Sequence, residues 1–383
     1  MMIYLDCNAT TPIEPRVSEL VMRFMDVEFG NAGSRTHGFG MRAKLAVAQA
    51  RDHVAALAHA GADEVVFTSG ATESNNLAIL GLRAEGEKTG KKHIISSLIE
   101  HKAVLEPLEW LVREAGFEVT LLEPTSEGIV PAAALREALR EDTLLVSLMH
   151  VNNETGMIQP LSEYVKVLES AAAYLHVDGA QGFGKVEGLE DARIDMISIS
   201  GHKLYAPKGI GALIVRRRGW DRVPLTPLVF GGGQESGLRP GTLPVHLIVG
   251  LGEAARIAKL EREPRAQLCA KLRVAILADL SCLNPIYHGC PEQQLPSTLN
   301  LSIPGVDAEA AIVALKTVAA VSNGSACTSH SYQPSHVLQA MGLHPDSIAG
   351  ALRLSWCHMT EEFEAGTISK SLATLIPSNT RTT

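Results

Sequence analysis

Between residues 60 and 216, short apolar runs alternate with longer segments of helical periodicity, and this alternation narrows the possible folds more than any other feature. Several runs are unbroken rather than alternately apolar and polar, which is typical of strands buried on both faces. Strands and helices in that order form a mostly parallel sheet with helices on both sides. We therefore predict an α/β fold with a sheet of about seven strands, at residues 64–68, 93–97, 118–122, 143–150, 174–178, 195–200 and 211–215. The predicted helices between them cover residues 74–83, 102–114, 131–140 and 161–173.

Beyond Pro244 the pattern changes to long helical segments followed by a few short strands. Residues 245–262 and 266–280 predict two helices, and shorter helices are predicted at 308–316 and 335–341. Strands are predicted at 298–303 and 351–355. A chain of 383 residues can hold two domains. We predict a large domain at residues 13–255 and a smaller α+β domain at residues 1–12 plus 256–383.

Charge and cysteine usage limit the possible partners and compartment. The net charge of −8 gives no general attraction to nucleic acid or anionic membranes, and the basic run at residues 216–218 is typical of a solvated strand end. No apolar run approaches the roughly 18 residues of a membrane span, and the N-terminus lacks a signal-peptide pattern. The six cysteines include no Cys-x-x-Cys pair and no zinc-ligand spacing. We predict a cytoplasmic protein with reduced thiols, no metal, no membrane contact and no direct contact with nucleic acid.

Polar residues collect where predicted strands end, which is where open α/β sheets bind ligands. The segment TSGATESNN at residues 68–76 leaves a strand and opens a helix. Its backbone N–H groups near Ala71 and the Thr72 hydroxyl could bind a phosphate. A helix cap without a ligand is the alternative.

A second polar group follows the strand at 174–178. The Asp178 carboxylate ends a buried strand, where it costs free energy unless a cation or a donor lies beside it. A protonated pyridine nitrogen would be such a partner and would make the ring an electron sink. Gln181 could then reach a ring hydroxyl. A helix-capping Asp is the alternative.

Lys203 follows the next strand and lies among glycines, a poor place for an ordinary solvated lysine. A lysine that forms a Schiff base needs such a partly desolvated position, so that its amine can become neutral and nucleophilic. Ser200 and His202 flank it and could contribute to the phosphate site. An ordinary loop lysine is the alternative.

These three motifs, in this order, resemble the class V branch of the aspartate-aminotransferase fold. Further motifs are similar to those of the cysteine desulfurases of the NifS/IscS kind, and they span nearly the whole chain in the right order. They are YLDCNATTP at residues 4–12, EHKAV at 100–104, VNNETG at 151–156, GGGQE at 231–235, RPGT at 239–242 and SNGSACTS at 322–329. The resemblance implies a pyridoxal 5'-phosphate (PLP) enzyme of aspartate-aminotransferase-like fold, with the cofactor bound by the large domain. It also implies L-cysteine as the substrate and L-alanine as the product.

The resemblance implies a role for several more residues. His101 is expected to stack on the cofactor ring and to assist proton transfer, and Asn153 to lie near the ring and the substrate. Arg353 is expected to bind the substrate carboxylate, a task that suits a bidentate guanidinium. Thr242 is expected to reach the phosphate of the other subunit, which implies a homodimer.

Cys327 lies among Ser, Asn, Gly and Ala, a polar setting unlike that of an inert buried thiol. The composition alone leaves an incidental loop thiol open. The resemblance implies that Cys327 takes the substrate sulfur as a persulfide and passes it to an acceptor protein.

Three segments depart from the pattern of the resembled family. Cys7 stands where the family usually has Asn, Asn31-Ala32-Gly33-Ser34 replaces Asn-Pro-Ser-Ser, and residues 355–360 replace a Ser-x-Gly-type stretch. These departures fit a dedicated paralogue, such as a desulfurase that feeds DNA phosphorothioation, at least as well as a supplier of iron–sulfur assembly or tRNA thiolation.

Other functions remain open on the sequence. A selenocysteine lyase or a class V aminotransferase would share the fold, although an aminotransferase needs no thiol like Cys327. A non-catalytic scaffold is the alternative outside enzymes. The joint presence of Asp178, Gln181, Lys203 and Arg353 argues against it, because a binding module needs no electron sink.

Overall fold

A computed structural model describes residues 2–323 and 334–376, and a seven-stranded sheet lies at its centre. The strands of the described chain are β1 Ile3–Tyr4, β2 Val65–Thr68, β3 His93–Ser97, β4 Glu118–Leu122, β5 Thr143–Met149, β6 Tyr174–Asp178, β7 Met196–Ser200, β8 Gly211–Val215, β9 Arg217–Arg218, β10 Asp221–Arg222, β11 Ile286–Tyr287, β12 Thr298–Ser302, β13 Ala319–Ala320 and β14 Ala351–Ser355.

The central sheet has the order β2-β8-β7-β6-β5-β3-β4. Neighbours from β7 through β4 are parallel, whereas β8 runs antiparallel to both β7 and β2. The prediction of a mostly parallel sheet of about seven strands is therefore confirmed.

Alternation of side chains along these strands supplies two separate apolar layers. On β5, Val146 and Leu148 belong to the layer beneath helices α2 (Gly38–Leu57) and α8 (Val245–Leu280). Leu145 belongs to the opposite layer, beneath α3 (Ala71–Leu80) and α5 (Lys102–Ala115). Every residue of β5 is buried, as the mainly apolar run predicts.

The helices of the described chain are α1 Pro15–Asp26, α2 Gly38–Leu57, α3 Ala71–Leu80, α4 Arg83–Thr89, α5 Lys102–Ala115, α6 Ala132–Ala138, α7 Leu161–Leu168, α8 Val245–Leu280, α9 Ala308–Leu315, α10 His336–Ala340, α11 Pro345–Ala349 and α12 Thr367–Ala373.

The long helix α8 connects the central sheet with a second apolar core. Its first half packs in the layer beneath the sheet, and its second half packs with β12, β14, α9 and α12. The predicted break between residues 262 and 266 is wrong, since α8 continues through Pro264. The next residue, Arg265, is held by Glu14 at 2.7 Å and Glu261 at 3.1 Å, so tertiary contacts override the local cost of a proline. The predicted domain boundary at residue 256 falls inside this helix and stays a prediction.

The second core carries a small antiparallel sheet in the order β11-β12-β14. The N-terminal segment joins it, because β1 pairs with β13 and Asp6 bridges Ser355 at the end of β14. This pairing brings residues 6–9 to the edge of the central sheet. In the described part of the chain, no helix is long and apolar enough to cross a membrane.

Candidate active site

A cavity of about 550 Å³ lies where the carboxyl ends of β2, β3, β5, β6 and β7 meet the end of β14. Each strand contributes the residues that follow it, as expected for an open α/β sheet. The N-terminal segment closes one side with Asn8 and Ala9. The residues predicted from sequence that line this cavity are Ala71, Thr72, His101, Asn153, Asp178, Gln181, Ser200, His202, Lys203 and Arg353.

One end of the cavity suits an anion. Helix α3 begins here, and the first N–H groups of a helix lack partners within it. The N-cap, Gly70, has a φ of 155°. A Cβ atom on Gly211 would lie 2.6 Å from the Gly70 Cα atom, so only glycine allows β8 to approach this turn.

His202 and Lys208 lie at the same end, and Lys208 had no role in the sequence prediction. Burial, with the Lys203, Lys208 and Lys185 ammonium groups adding to it, lowers the pKa of His202 to about 4. The His202 ring is therefore neutral at pH 7, with Nδ1 placed 3.2 Å from Thr10 Oγ1. A neutral imidazole can donate a hydrogen bond without a desolvated charge.

Asp178 lies buried in the floor of the cavity, at the end of β6. Its Oδ1 accepts from the Ala180 N–H at 2.9 Å, and its Oδ2 accepts from Asn75 Nδ2 at 2.7 Å. Within residues 2–323 and 334–376 it has no ion pair with Lys or Arg. A buried carboxylate in this state is stabilised by a cation placed beside it.

The Lys203 ammonium donates to the backbone carbonyls of the N-terminal segment, to Ala9 O at 2.7 Å and to Asn8 O. Lys203 lies in the short 3-10 turn Gly201–Lys203, directly after β7. This turn and the N-terminal segment together direct the amine into the cavity, where the sequence predicts a nucleophilic lysine.

Arg353 enters from β14, and its side chain is almost fully buried. Its Nη2 donates to Asp6 Oδ1 at 2.7 Å, and its Nη1 donates to Asn153 O at 3.1 Å. Its Nε is buried and has no hydrogen-bond partner among the described residues. The guanidinium thus has fixed orientation and an unused donor, as a carboxylate-binding group requires.

Residues 3–365 match the family model described as Aminotransferase class-V. The chain belongs to the class-V aminotransferase family. It is 47% identical over 366 residues to a protein named Cysteine desulfurase IscS from Vibrio cholerae, which covers 94% of this chain and 89% of that one. The protein of the same name from Shewanella oneidensis is 48% identical with the same coverage.

Several solved structures are also similar to this class-V aminotransferase in fold and sequence. A NifS-like protein superposes with a TM-score of 0.88 at 36% identity over 98% of both chains. DndA from Streptomyces lividans has a TM-score of 0.81 at 52% identity, over 92% of this chain and 99% of that one. SspA in complex with cysteine has a TM-score of 0.83 at 37% identity, over 94% and 100%.

Class-V aminotransferases use PLP, and the cavity fits this cofactor. Gln181 Oε1 and Asn75 Oδ1 are buried acceptors that have no partner in the part of the chain that the structure describes, and both residues line the cavity. A ring hydroxyl can donate to Gln181 Oε1, and a protonated ring nitrogen would supply the cation that Asp178 lacks. The phosphate matches the end formed by α3, Ser200 and His202. Lys203 is the lysine available for the cofactor aldehyde.

His101 and Thr242 occupy different positions relative to this cavity. His101 caps α5, and its Nδ1 accepts from the Ala103 N–H at 3.1 Å, which leaves Nε2 to carry the proton of the neutral ring. Thr242 is exposed and does not line the cavity of its own chain. Its predicted role therefore requires a second subunit.

Cys327 lies outside the described residues, but the segment that leads to it is anchored at the site. Ser322 and Arg353 exchange backbone hydrogen bonds of 3.2 and 2.6 Å. Cys327 is five positions beyond Ser322 in the sequence. An extended chain spans at most about 3.6 Å per residue, so chain length limits Cys327 to within about 18 Å of Ser322.

Besides Lys208, sequence analysis assigned no role to Asn75 or Glu100. Both were part of quoted motifs, but only the tertiary contact of Asn75 with Asp178 shows its role. The Glu100 carboxyl is buried beside Ser97 Oγ at 2.7 Å and the Met149 N–H at 3.0 Å, and burial raises its pKa to about 8. It joins the carboxyl ends of β3 and β5 next to His101. Nothing local in the sequence distinguishes it from a surface glutamate.

Proposed function

We propose that the protein is a PLP-dependent cysteine desulfurase, which converts L-cysteine to L-alanine and holds the sulfur as a persulfide on Cys327. The observation that carries this proposal is the pairing of Ser322 with Arg353, which tethers the Cys327 segment to the predicted carboxylate-binding group. An aminotransferase needs no thiol there. Relatives named as cysteine desulfurases, and SspA in complex with cysteine, support the same activity.

Different residues of the chain bind the substrate and the cofactor. Arg353 holds the substrate carboxylate, and Asn153 lies beside it through the hydrogen bond from Arg353 to its carbonyl. The bound cofactor supplies an electron sink that weakens the bond between the substrate's Cβ and sulfur. Asp178 keeps the ring nitrogen protonated, and Gln181 binds the ring hydroxyl.

Proton transfer falls to Lys203 and His101. The Lys203 amine takes the proton from the substrate α-carbon, and His101, through Nε2, assists its movement. The Cys327 thiolate then attacks the substrate sulfur, and the carbon fragment takes up protons and leaves as L-alanine. L-cysteine and one thiol thus give L-alanine and one persulfide, so atoms and electrons balance.

A homodimer completes the site in this proposal, because Thr242 lies outside its own cavity. Exposed apolar side chains on α1, α2 and the loop between them support an association of two copies, since a large exposed apolar patch usually marks an interface. Phe29 and Phe39 stack with ring centroids 5.3 Å apart. The exposed apolar residues of this region are Met22, Met25, Val27, Phe29, Phe39, Met41 and Leu45.

The persulfide passes to a protein thiol in the cytoplasm. The net charge of −8 disfavours direct contact with nucleic acid, so a route to DNA or tRNA runs through a partner protein. The identity to DndA is 52%, and that to the Vibrio cholerae IscS is 47%, which supports a dedicated paralogue. Iron–sulfur assembly, tRNA thiolation and DNA phosphorothioation are distinguished by tracing labelled sulfur from cysteine to candidate acceptors.

The change of Cys327 to serine tests this function. Cys327→Ser is expected to bind PLP and L-cysteine, with the substrate-induced change in absorbance retained, yet to release less than about one hundredth of the parent's alanine. Alanine and persulfide are measured together, with selenocysteine as a second substrate to test for a selenocysteine lyase. Cys282→Ser, at an exposed thiol, is the matched control and should keep the parent rate. Alanine release by Cys327→Ser at the parent rate without added thiol would show that Cys327 is not the nucleophile.

A further inference from the structure

Two cysteines that the proposed reaction does not use, Cys7 and Cys357, lie together behind the cavity. Each is 2% exposed, and both pack against Tyr205 in one buried cluster. Backbone hydrogen bonds fix their segments side by side, from Cys7 N–H to Ser355 O at 2.9 Å and from Ser355 N–H to Leu5 O at 2.8 Å. Both are free thiols. They also lie in two of the three segments that depart from the resembled family.

The surroundings of the pair favour a thiolate on Cys357. The proximity of the two sulfur atoms lowers the pKa of Cys357 and raises the pKa of Cys7. Thr360 Oγ1 donates to Cys357 Sγ at 3.8 Å. Lys185 lies nearby and, in its protonated form, lowers the pKa of Cys357, while burial lowers the pKa of Lys185 itself. Thiolates stabilised in this way are the nucleophilic form of cysteine.

A small cavity of about 30 Å³ adjoins this cluster and is lined by Lys185, Tyr205 and Cys269. A space of about 10–15 Å³ on this measure suffices for one water molecule. A molecule about the size of water therefore fits in this cavity, which reaches the cysteine cluster at Tyr205.

We propose that Cys7 and Cys357 form an oxidisable dithiol whose co-reactant is a small peroxide and whose product is an intramolecular disulfide. The Cys357 sulfur attacks one oxygen of hydrogen peroxide, which forms a sulfenic acid and releases one water after proton uptake. The Cys7 sulfur then attacks that sulfenic sulfur, and the hydroxyl leaves as a second water. The two thiols lose two protons and two electrons, which reduce the two peroxide oxygens to two water molecules.

The disulfide would act on the active site through the neighbours of Cys7. On one side, Asp6 pairs with Arg353 at 2.7 Å, and on the other, the Asn8 carbonyl accepts from Lys203. Closing an S–S bond of about 2.05 Å draws Cys7 toward Cys357 and shifts both contacts. Substrate binding should therefore weaken in the oxidised protein. This consequence rests on the proposed function, whereas formation of the disulfide does not.

Peptide mapping under non-reducing conditions tests the dithiol in a Cys327→Ser background, where the catalytic thiol cannot interfere. After hydrogen peroxide treatment we expect one cross-linked peptide pair, Cys7 with Cys357, which a thiol reductant reverses. Cys7→Asn, which restores the residue usual in the resembled family, should give no cross-link. The exposed Cys282 is the internal control, because its oxidation shows that enough hydrogen peroxide was added. Cys7 and Cys357 both recovered as free thiols after Cys282 is oxidised, or a cross-link to Cys269 instead, would overturn the proposal.

The effect on substrate binding is measured in the same Cys327→Ser protein, from the change in absorbance on L-cysteine addition. Oxidation is expected to raise the half-saturating L-cysteine concentration about tenfold, with recovery on reduction and no change in the Cys7→Asn variant. Unchanged affinity in fully cross-linked protein would overturn the coupling to the site. No response to L-cysteine in the reduced protein would overturn the proposed function, and the peptide map would still decide the dithiol.

Discussion

Arg353 illustrates how neighbouring residues fix one functional side chain. Asp6 and the Asn153 carbonyl hold its two terminal nitrogens, while no other described residue bonds to Nε. A lysine could keep the positive charge but not this planar set of donors. The contacts that orient the guanidinium come from residues 347 and 200 positions away in the chain, so they depend on the assembled fold.

Arg353→Lys is expected to raise KM for L-cysteine and to lower kcat/KM by about 10- to 100-fold, because a bidentate charge-assisted contact becomes a single one. Steady-state alanine release measures both constants. Arg216→Lys is the matched control, since Arg216 is buried and bonds backbone carbonyls away from the cavity. It should change thermal stability and leave KM unaltered. Equal changes of KM in both variants would contradict the role of Arg353.

The sequence alone indicated those site residues whose charge follows a buried apolar run, because burying an unpaired charge costs free energy. Asp178 and Lys203 follow buried apolar runs, where a charge needs a partner, and both line the cavity. His101, Asn153 and Arg353 have no such local signal and came from the resemblance. Asn75 escaped because its contact with Asp178 joins residues 103 positions apart. Polar contacts between distant elements cannot be derived from periodicity, which describes only one element at a time.

At the scale of elements, the carboxyl ends of β3 and β5 are joined by the Glu100 carboxyl. Its Oε1 accepts from Ser97 Oγ and from the Met149 N–H, while Oε2 is buried and has no partner within residues 2–323 and 334–376. Burial raises the pKa of Glu100 from 4.5 to about 8, with Asp178 adding to the shift. The carboxyl is therefore neutral at pH 7 and adds no charge beside Asp178.

This raised pKa predicts a pH-dependent stability. The folded state keeps the Glu100 proton up to about pH 8, whereas the unfolded chain releases it near pH 4.5, so stability falls as pH rises between these values. Glu100→Gln removes the titration. The difference in free energy of unfolding between Glu100→Gln and the parent should shift in favour of the variant by about 1 kcal/mol or more from pH 5 to pH 8. This corresponds to a few degrees in Tm.

Thermal unfolding of the parent and Glu100→Gln at pH 5, 6, 7 and 8 checks this expectation. Glu137→Gln, at an exposed position on α6 without an ion pair, is the control and should show the same pH profile as the parent. A Tm difference between Glu100→Gln and the parent that does not change with pH would contradict the assignment of the buried proton to Glu100.

The strands were more predictable than the helices. Mainly apolar runs correspond to β2, β5 and β8, whose residues are all buried because both faces of these strands are covered. The continuity of α8 was not predicted, since Pro264 reads locally as a break. Helices α1 and α2 were left unassigned. α2 is rich in Ala and Gly, and its packing against α8 gives only a weak apolar stripe in sequence.

At the scale of the whole molecule, the proposed dimer places two chains in each site. Lys203, Asp178 and Arg353 come from one subunit, and Thr242 comes from the other. Thr242 follows Gly241, whose φ of 115° sets the direction of this exposed segment. Since Thr242 does not line the cavity of its own chain, a Thr242 hydroxyl can reach a cavity only from the second subunit.

Hybrid dimers distinguish this shared site from a site built within one chain. Lys203→Ala removes the reactive amine, and Thr242→Glu places a carboxylate against the cofactor phosphate, so each variant alone should lose nearly all activity. In a hybrid of the two, one site takes Lys203 from the second chain and Thr242 from the first, and it is intact. The other site carries both changes. Hybrids purified through two different affinity tags should therefore recover about half of the parent activity.

A site made within one chain gives the opposite result, because each site of the hybrid then carries one inactivating change. Light scattering on each variant provides the control, since the comparison needs both variants to remain dimeric. A second control is the hybrid of Lys203→Ala with parent, which should also reach about half activity and sets the scale. Activity of the mixed-variant hybrid near zero, with dimers intact, would contradict the assignment of Thr242 to the partner's phosphate. Full parent activity from a monomer would contradict the dimer itself.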